Sequence, residues 1–365
     1  MGPRRPTSPD ERDGALLIRE RLVDAGAPAE LEDFDGYSTF AISFGAILGL
    51  AVAPALLPRR WTRLRALLST SAMAVLATEG SLRWMPLSNA VSGRPSQNVV
   101  ATIEPAGAAE RTLCLTGHLD SSRSGLLFHP LLVRWLPPWI AAQSGAVALQ
   151  AAEPMLRRLA PGRLLVAAAR AALAVGLGLL VERELRGSDT PGANDNASGT
   201  AVCVELARRI AADPLPRTRV VVLLTGCEEA GLLGAHAFLR SRDTSGWLFL
   251  NIDNVGAGQL NYLSREGLVQ KWGADPALLA IADRIRESRP ELELRRSEEP
   301  IGLTYDATAV LARGGRALTL VAAENGVIPN YHWPTDTPEN VDPDAIARAI
   351  EVGREMISAV DRGEA

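Results

Sequence analysis

Four short apolar runs in this chain each stop at a residue able to hold a metal ion. Arg111-Thr-Leu-Cys-Leu-Thr-Gly117 leads straight into His118-Leu-Asp120, and Arg219-Val-Val-Val-Leu-Leu-Thr225 leads into Gly226-Cys-Glu228-Glu229. Trp247-Leu-Phe-Leu-Asn-Ile252 is followed by Asp253, and Arg316-Ala-Leu-Thr-Leu-Val321 by the loop that carries His332. Runs of this length, rich in β-branched and large apolar residues, predict buried strands. In an open α/β sheet, functional groups gather beyond the carboxyl ends of the parallel strands, so the four runs predict one shared edge bearing His, Glu, Asp and His. A fifth contributor is the turn Pro191-Gly-Ala-Asn-Asp195-Asn-Ala-Ser-Gly199, which precedes a predicted helix over 200–211 with Val202, Leu206 and Ile210 on one face. Ser198 is placed to cap that helix. Alone, Asp195 also reads as a turn-forming Asx residue.

Composition removes other function classes. With 47% apolar and 22% charged residues over 365 positions, the chain can bury a sizeable core and is not a disordered polymer. A net charge of −4 offers no basic surface for nucleic acid. Cys114, Cys203 and Cys227 are odd in number and far apart, so they make neither a disulfide framework nor a thiolate zinc site.

Two stretches sit outside this scheme. Phe40–Leu57 is eighteen residues without a charge, about 27 Å as a helix, close to the thickness of a bilayer's hydrocarbon core. Arg59, Arg60, Arg63 and Arg65 follow it, and then the shorter apolar run 66–78. A second pair, 135–152 and 164–181, flanks Arg157, Arg158 and Arg163. Each pair reads as a helical hairpin with an Arg-rich tip. If 40–78 and 135–181 cross a membrane, the positive-inside rule puts the tips in the cytoplasm and the rest of the chain outside it. The alternative is a soluble chain whose Ala-rich helices pack on the domain or on a second subunit. Residues 1–38 hold five Arg and nine acids, with a short helix expected over 15–31 and none of the features of a cleavable signal peptide.

The chain resembles the M28 peptidases, co-catalytic zinc aminopeptidases, in six stretches that occur in the family's order. They are Ser96–Thr102, Gly117-His-Leu-Asp-Ser121, Gly192-Ala-Asn-Asp-Asn-Ala-Ser-Gly199, Glu228-Glu-Ala-Gly-Leu-Leu-Gly234, Asp253, and His332-Trp-Pro-Thr-Asp-Thr-Pro-Glu-Asn-Val-Asp342. The resemblance implies a three-layer α/β/α sandwich around a mostly parallel central sheet, with added hydrophobic helical hairpins. It implies two Zn2+ per chain: His118 and Asp253 on one, Glu229 and His332 on the other, and Asp195 bridging both. Three protein ligands per ion leave a position open for water, as catalysis requires. Asp120 would orient His118. Glu228 would be the general base, and Tyr331 would donate to the substrate carbonyl. Asp306, His129 and His236 carry no assigned role.

The expected organisation is a charged segment 1–38, a hydrophobic hairpin 39–90, a catalytic domain from 91–125 and 182–362, and a hydrophobic insertion 126–181 near the active-site mouth. The two hairpins are expected to pack together. The leading function is metal-dependent removal of N-terminal residues from peptides. The alternatives are a glutaminyl-cyclase-like transferase with one zinc and a non-catalytic binding domain on the peptidase fold. Oligomeric state and side-chain preference stay open.

Overall fold

The computed structural model describes residues 2–58, 60–158, 160–298 and 304–365. Arg59 of the first predicted hairpin tip lies outside the described residues. The helices are α1 (Pro9–Asp24), α2 (Ala41–Leu56), α3 (Thr62–Gly80), α4 (Pro86–Val91), α5 (Leu136–Ala151), α6 (Glu153–Leu156), α7 (Ala160–Arg186), α8 (Gly199–Ala212), α9 (Leu233–Ser241), α10 (Pro276–Ser288), α11 (Asp306–Leu311) and α12 (Pro343–Asp361). The strands are β1 (Ala29–Gly36), β2 (Arg94–Ile103), β3 (Arg111–His118), β4 (Thr218–Thr225), β5 (Leu248–Asp253), β6 (Gln259–Leu263), β7 (Arg265–Glu266), β8 (Trp272–Gly273), β9 (Arg295–Ser297) and β10 (Arg316–Ala323).

Eight strands form one sheet in the order β1-β2-β4-β3-β5-β10-β6-β9, and β7 and β8 pair separately. The central strands β4, β3, β5 and β10 run parallel, while β2 and β6 flank them antiparallel. Alternate residues of these strands enter different cores. Leu113, Leu115, Val220, Val222, Leu250 and Leu318 face one layer, built from α1, α8, α10 and α12. Cys114, Val221, Leu223 and Phe249 face the other, where Phe238 of α9 and Val310 of α11 pack. Burial on both faces makes each strand a continuous apolar run, because no position is left for water. Each fully buried Val or Leu contributes about 1.5–3 kcal/mol. The result is a three-layer α/β/α sandwich.

The start of the chain folds differently from the expectation. The helix runs from Pro9 to Asp24, not over 15–31, because Ser8 accepts from Glu11 N and Pro9 occupies the first turn. Gly26, at φ 85°, ends it, and residues 29–36 become the sheet's edge strand β1, paired antiparallel with β2. Glu30, Glu32, Asp33 and Asp35 lie on this edge, where charge discourages pairing with another chain.

The four apolar stretches are helices α2, α3, α5 and α7, which share a core of Ile47, Leu48, Ala72, Leu76, Val147, Leu173 and Leu180. Helices α3 and α7 are longer than their apolar runs, the second of which contains Arg170, since flanking Arg and Glu are good helix formers. Buried positions 162, 166, 169, 173, 176, 180 and 183 of α7 repeat every three or four residues, the seam expected of helices packed side by side. Among the described residues, α7 is the helix long and apolar enough to cross a membrane. Its most apolar window has a mean hydropathy of 2.3 and is 28% buried.

Candidate metal centre

The parallel strands deliver their terminal residues to one edge of the sheet. His118 ends β3, Glu228 and Glu229 follow β4, Asp253 ends β5, and His332 lies in the loop after β10. Asp195 arrives from the 193–198 turn before α8, whose first residue sits directly on β5. A Cβ added to Gly199 would lie 2.1 Å from Ile252 O, so only glycine permits this approach. Ser198 does not cap α8. Its hydroxyl donates to Asn194 O and accepts from Val255 N, while Asn196 Oδ1 takes the Gly199 N–H.

The five sequence-derived ligand positions meet in a buried cluster centred on Asp195. Its Oδ1 lies 3.2 Å from His118 Nε2, and its Oδ2 lies 3.2 Å from His332 Nε2. Each imidazole has a second carboxylate: Asp253 Oδ2 is 3.7 Å from His118 Nε2, and Glu229 Oε2 is 3.0 Å from His332 Nε2. Glu228 Oε2 stands at 4.0 Å from His118 Nε2. Asp195, Glu228, Glu229 and Asp253 thus bring more negative charge than two imidazoles can balance, all at less than a tenth exposure.

The pKa directions follow from that crowding. Burial, joined by the neighbouring Glu229 and Asp253, pushes the Glu228 carboxyl well above the usual range, against the opposing pull of His118. Burial also raises Glu229 and Asp253. Burial works against ionising Asp195 too, yet the facing His118 and His332 imidazoles hold it below the usual carboxylate range. Burial opposes protonation of His332, but Glu229 and Asp195 lift it to about 9.

The donor set fits a divalent cation. Asp195 Oδ2, Glu229 Oε1 and Asp253 Oδ2 are buried and make no hydrogen bond among the described residues, a costly arrangement unless a cation satisfies them. Imidazole and carboxylate donors with no thiolate suit zinc at a catalytic site. His118, Asp195 and Glu229 alone already bring one donor atom each within 4.8 Å of one another.

Partners from elsewhere in the fold hold the cluster still. Asp120 accepts the N–H groups of Glu228 and Glu229 at 3.1 and 3.0 Å, and its backbone carbonyl lies 3.1 Å from His118 Nδ1. One residue therefore fixes both the imidazole and the Glu-Glu turn. Cys227 takes a left-handed backbone at φ 51°, which turns the chain sharply off β4 so that the two acids follow at the sheet edge. Its buried thiol fills space and is pushed far above the ordinary range by burial.

Several participants carry no local signature in the sequence. Asp336 accepts Asn194 N at 2.6 Å and Asp195 N at 3.1 Å, clamping the shared carboxylate's backbone. Asn254 donates to Asp195 Oδ1 and Asp253 Oδ1. Arg4 ties Leu119 O to Pro191 O and Gly192 O, joining the His118 and Asp195 loops. Glu11 accepts Cys227 N and Ser96 Oγ, and burial with the nearby Asp120 charge pushes it up to about 8. The one signal that could have pointed to any of them is Asp336's place within the 332–342 stretch. Replacing Asp336 by alanine should weaken zinc binding about 10–100-fold with the fold retained, read by zinc titration against a chelator. Unchanged affinity would deny the clamp.

The remaining residues fall outside the cluster. Tyr331 stacks on His332 with ring centroids 3.8 Å apart, and Phe128 of the insertion meets His332 edge-on at 4.4 Å. Asp306 accepts from Thr225 Oγ1 beneath the site, and burial lifts it to about 7. His129 packs on Trp333, and buried His236 lies beside Arg313 with its pKa lowered to about 3 by burial and by that charge.

Residues 177–357 match the model of Peptidase family M28. Over that stretch, just under half of its length, the chain is an M28 peptidase. A probable zinc metalloprotease of Leptosphaeria maculans is 45% identical over 73 residues, 19% of this chain and 17% of that protein. Endoplasmic reticulum metallopeptidase 1 of Rattus norvegicus is 27% identical over 173 residues, 44% of this chain and 18% of that protein. The matched part of this M28 chain therefore spans less than a fifth of either relative. Among solved structures, a zinc aminopeptidase from Bacillus subtilis superposes with a TM-score of 0.58 at 14% identity, covering 98% of this chain and 90% of its own. Bacteroides thetaiotaomicron glutaminyl cyclase gives 0.55 at 13% identity, over 98% of this chain and 92% of its own. Identities this low speak for the shared fold alone.

Proposed function

We propose that this M28 chain is a zinc-dependent exopeptidase that releases N-terminal residues from peptides, with Glu228 as general base. The carrying observation is the position of Asp195, whose two oxygens face separate imidazoles, each backed by a carboxylate of its own. That symmetry supports two ions: His118 and Asp253 would hold one, Glu229 and His332 the other, with Asp195 common to both. Zinc bound there would supply Lewis acidity toward a water and toward the scissile carbonyl.

The chain's own groups do the rest. Glu228 stands back from the imidazoles, so its carboxylate is left to take a proton from the attacking water and return it to the leaving amine. Asp120 keeps the Glu228–Glu229 turn and His118 in register. Burial raises the Tyr331 phenol far above its ordinary range, so the hydroxyl keeps its proton and serves as a donor to the substrate carbonyl oxygen. Phe128, packed on His332, screens that side from bulk water.

A single-zinc, glutaminyl-cyclase-like transferase is the second reading, favoured by the compact trio His118, Asp195 and Glu229. Activity on a panel of aminoacyl chromogenic amides separates the two. Hydrolysis predicts release of the chromophore, abolished by a chelator and restored by zinc. Cyclisation of glutaminyl peptides without hydrolysis of the panel would favour the transferase.

The helical bundle supports membrane attachment. Glu153 pairs with Arg65 and Arg170 inside it, while Leu56, Leu67, Leu164 and Leu185 are more than half exposed on its outside. Charge turned inward and hydrocarbon outward is the pattern of helices in lipid. The Arg-rich ends then face the cytoplasm, with the metal centre on the opposite side. The chain should resist carbonate extraction and require detergent, and release by carbonate alone would contradict attachment.

A further inference from the structure

A cavity of about 180 Å³ opens from the metal centre into the helical bundle. Glu228, Glu229 and His332 of the metal centre line it together with Ile47 and Val147 of the bundle core, each 1% exposed. Along α2 its wall runs from Phe40 to Leu48, about 12 Å at the helical rise. Leu76 of α3 and Leu180 of α7 complete it, so all four apolar helices contribute. Away from the metal centre the polar side chains on the wall are Glu79, Gln143, Ser144 and Thr304, and the Glu79 carboxylate and the Gln143 amide nitrogen are held by the protein itself. Glu79 accepts Leu87 N, Ser88 N and Ser88 Oγ, while Gln143 donates to Ala172 O with its amide packed on Gly176.

Apolar cavities of on the order of 150 Å³ stay dry and take up hydrocarbon. A group filling this one must be attached close to the scissile carbonyl, because the cavity begins at the general base. The depth exceeds the reach of an ordinary aliphatic side chain and follows the bundle's length instead. Much of its wall belongs to helices outside the sandwich, while Leu232, Leu268 and Val269 line the other side, so the selectivity the helices impose is separate from the hydrolytic machinery.

We propose that the cavity receives a medium-length to long hydrocarbon chain carried on the acyl side of the scissile amide, making lipid-like acyl amides the preferred substrates. The inference rests on the hydrolase reading given above. An alkyl chain on the carbonyl side lies between α2, α3, α5 and α7, with its amide at Glu228. The same chain chemistry arises from a 2-amino acid with an extended side chain or from a plain fatty acyl group, and two substrate series distinguish them.

The test uses the full zinc-loaded chain with p-nitroanilides of straight-chain acids from acetyl to dodecanoyl, with and without a 2-amino group. In at least one series, kcat/KM should rise about three- to fourfold per added methylene until the cavity is full. Val147→Phe, which narrows the cavity within the bundle, should move that break to shorter chains. A profile that is flat or falls beyond butanoyl, with the short members still hydrolysed, would overturn the inference and leave the hydrolase reading intact. If no anilide is cleaved, the hydrolase reading fails, and calorimetric titration of the unmodified chain with 1-decanol then decides the cavity by itself. Saturable binding that is weakened by Val147→Phe supports an alkyl site. No binding, or binding unaffected by the substitution in a folded variant, overturns it. Should Val147→Phe not fold, the chain-length profile and the decanol titration of the unmodified chain decide between the same two outcomes.

Discussion

Glu228→Gln should lower kcat by about 10²–10⁴-fold while zinc content and thermal stability stay those of the unmodified chain. Glutamine matches glutamate in size and keeps an oxygen on the cavity side, so packing is preserved. It cannot accept a proton from the attacking water, and the step that depends on that transfer fails. Because Glu228 Oε2 is 4.0 Å from His118 Nε2, farther than the other three carboxylates lie from their imidazoles, its loss should spare metal binding. Steady-state kinetics paired with elemental zinc analysis checks both halves. Activity close to that of the unmodified chain would take Glu228 out of the role, and loss of zinc would recast it as a ligand.

Asp195→Ala should have a larger effect on metal than on fold. Among the described residues, Asp195 is the carboxylate that pairs with both imidazoles, and its backbone is fixed independently by Asp336. Removing an outer partner of a metal ligand typically weakens binding about 10–100-fold, and removing a shared ligand should exceed that. The variant should retain less zinc than Glu228→Gln after dialysis and lose turnover in parallel. The two imidazoles hold Asp195 ionised, so deleting it removes a favourable buried contact and the thermal stability of the metal-free form should fall even as repulsion with Glu229 and Asp253 is relieved. A zinc-replete, active Asp195→Ala chain would contradict the shared-ligand arrangement.

Which parts of this centre are legible in the sequence follows from how locally each is encoded. Strands β3, β4, β5 and β10 are covered on both faces, so they stand out as unbroken apolar runs whose last residues mark the functional edge. His118, Glu228, Glu229 and Asp253 are legible for that reason. Asp336 and Arg4 are not. Asp336 reaches backbone groups 142 positions away, and Arg4 bridges loops 115 and 188 positions away, contacts that leave no period or spacing in the chain. Edge strand β1 is hidden because its acids protect an open edge and give the sequence the look of a solvated segment. The helices of the bundle are visible from their apolar runs, though their ends are not, since Arg and Glu extend a helix without extending its hydrophobicity. The cavity has no trace in the sequence, because it exists only where four separated helices converge on the sheet edge.

Asp195 is held to join two three-donor clusters, one completed by His118 and Asp253 and the other by His332 and Glu229. Zinc titration of the metal-free chain, followed by elemental analysis after desalting, tests this most directly. Two ions should bind per chain, falling to one in Asp253→Ala. A limit of one ion in the unmodified chain, unchanged by Asp253→Ala, would contradict it.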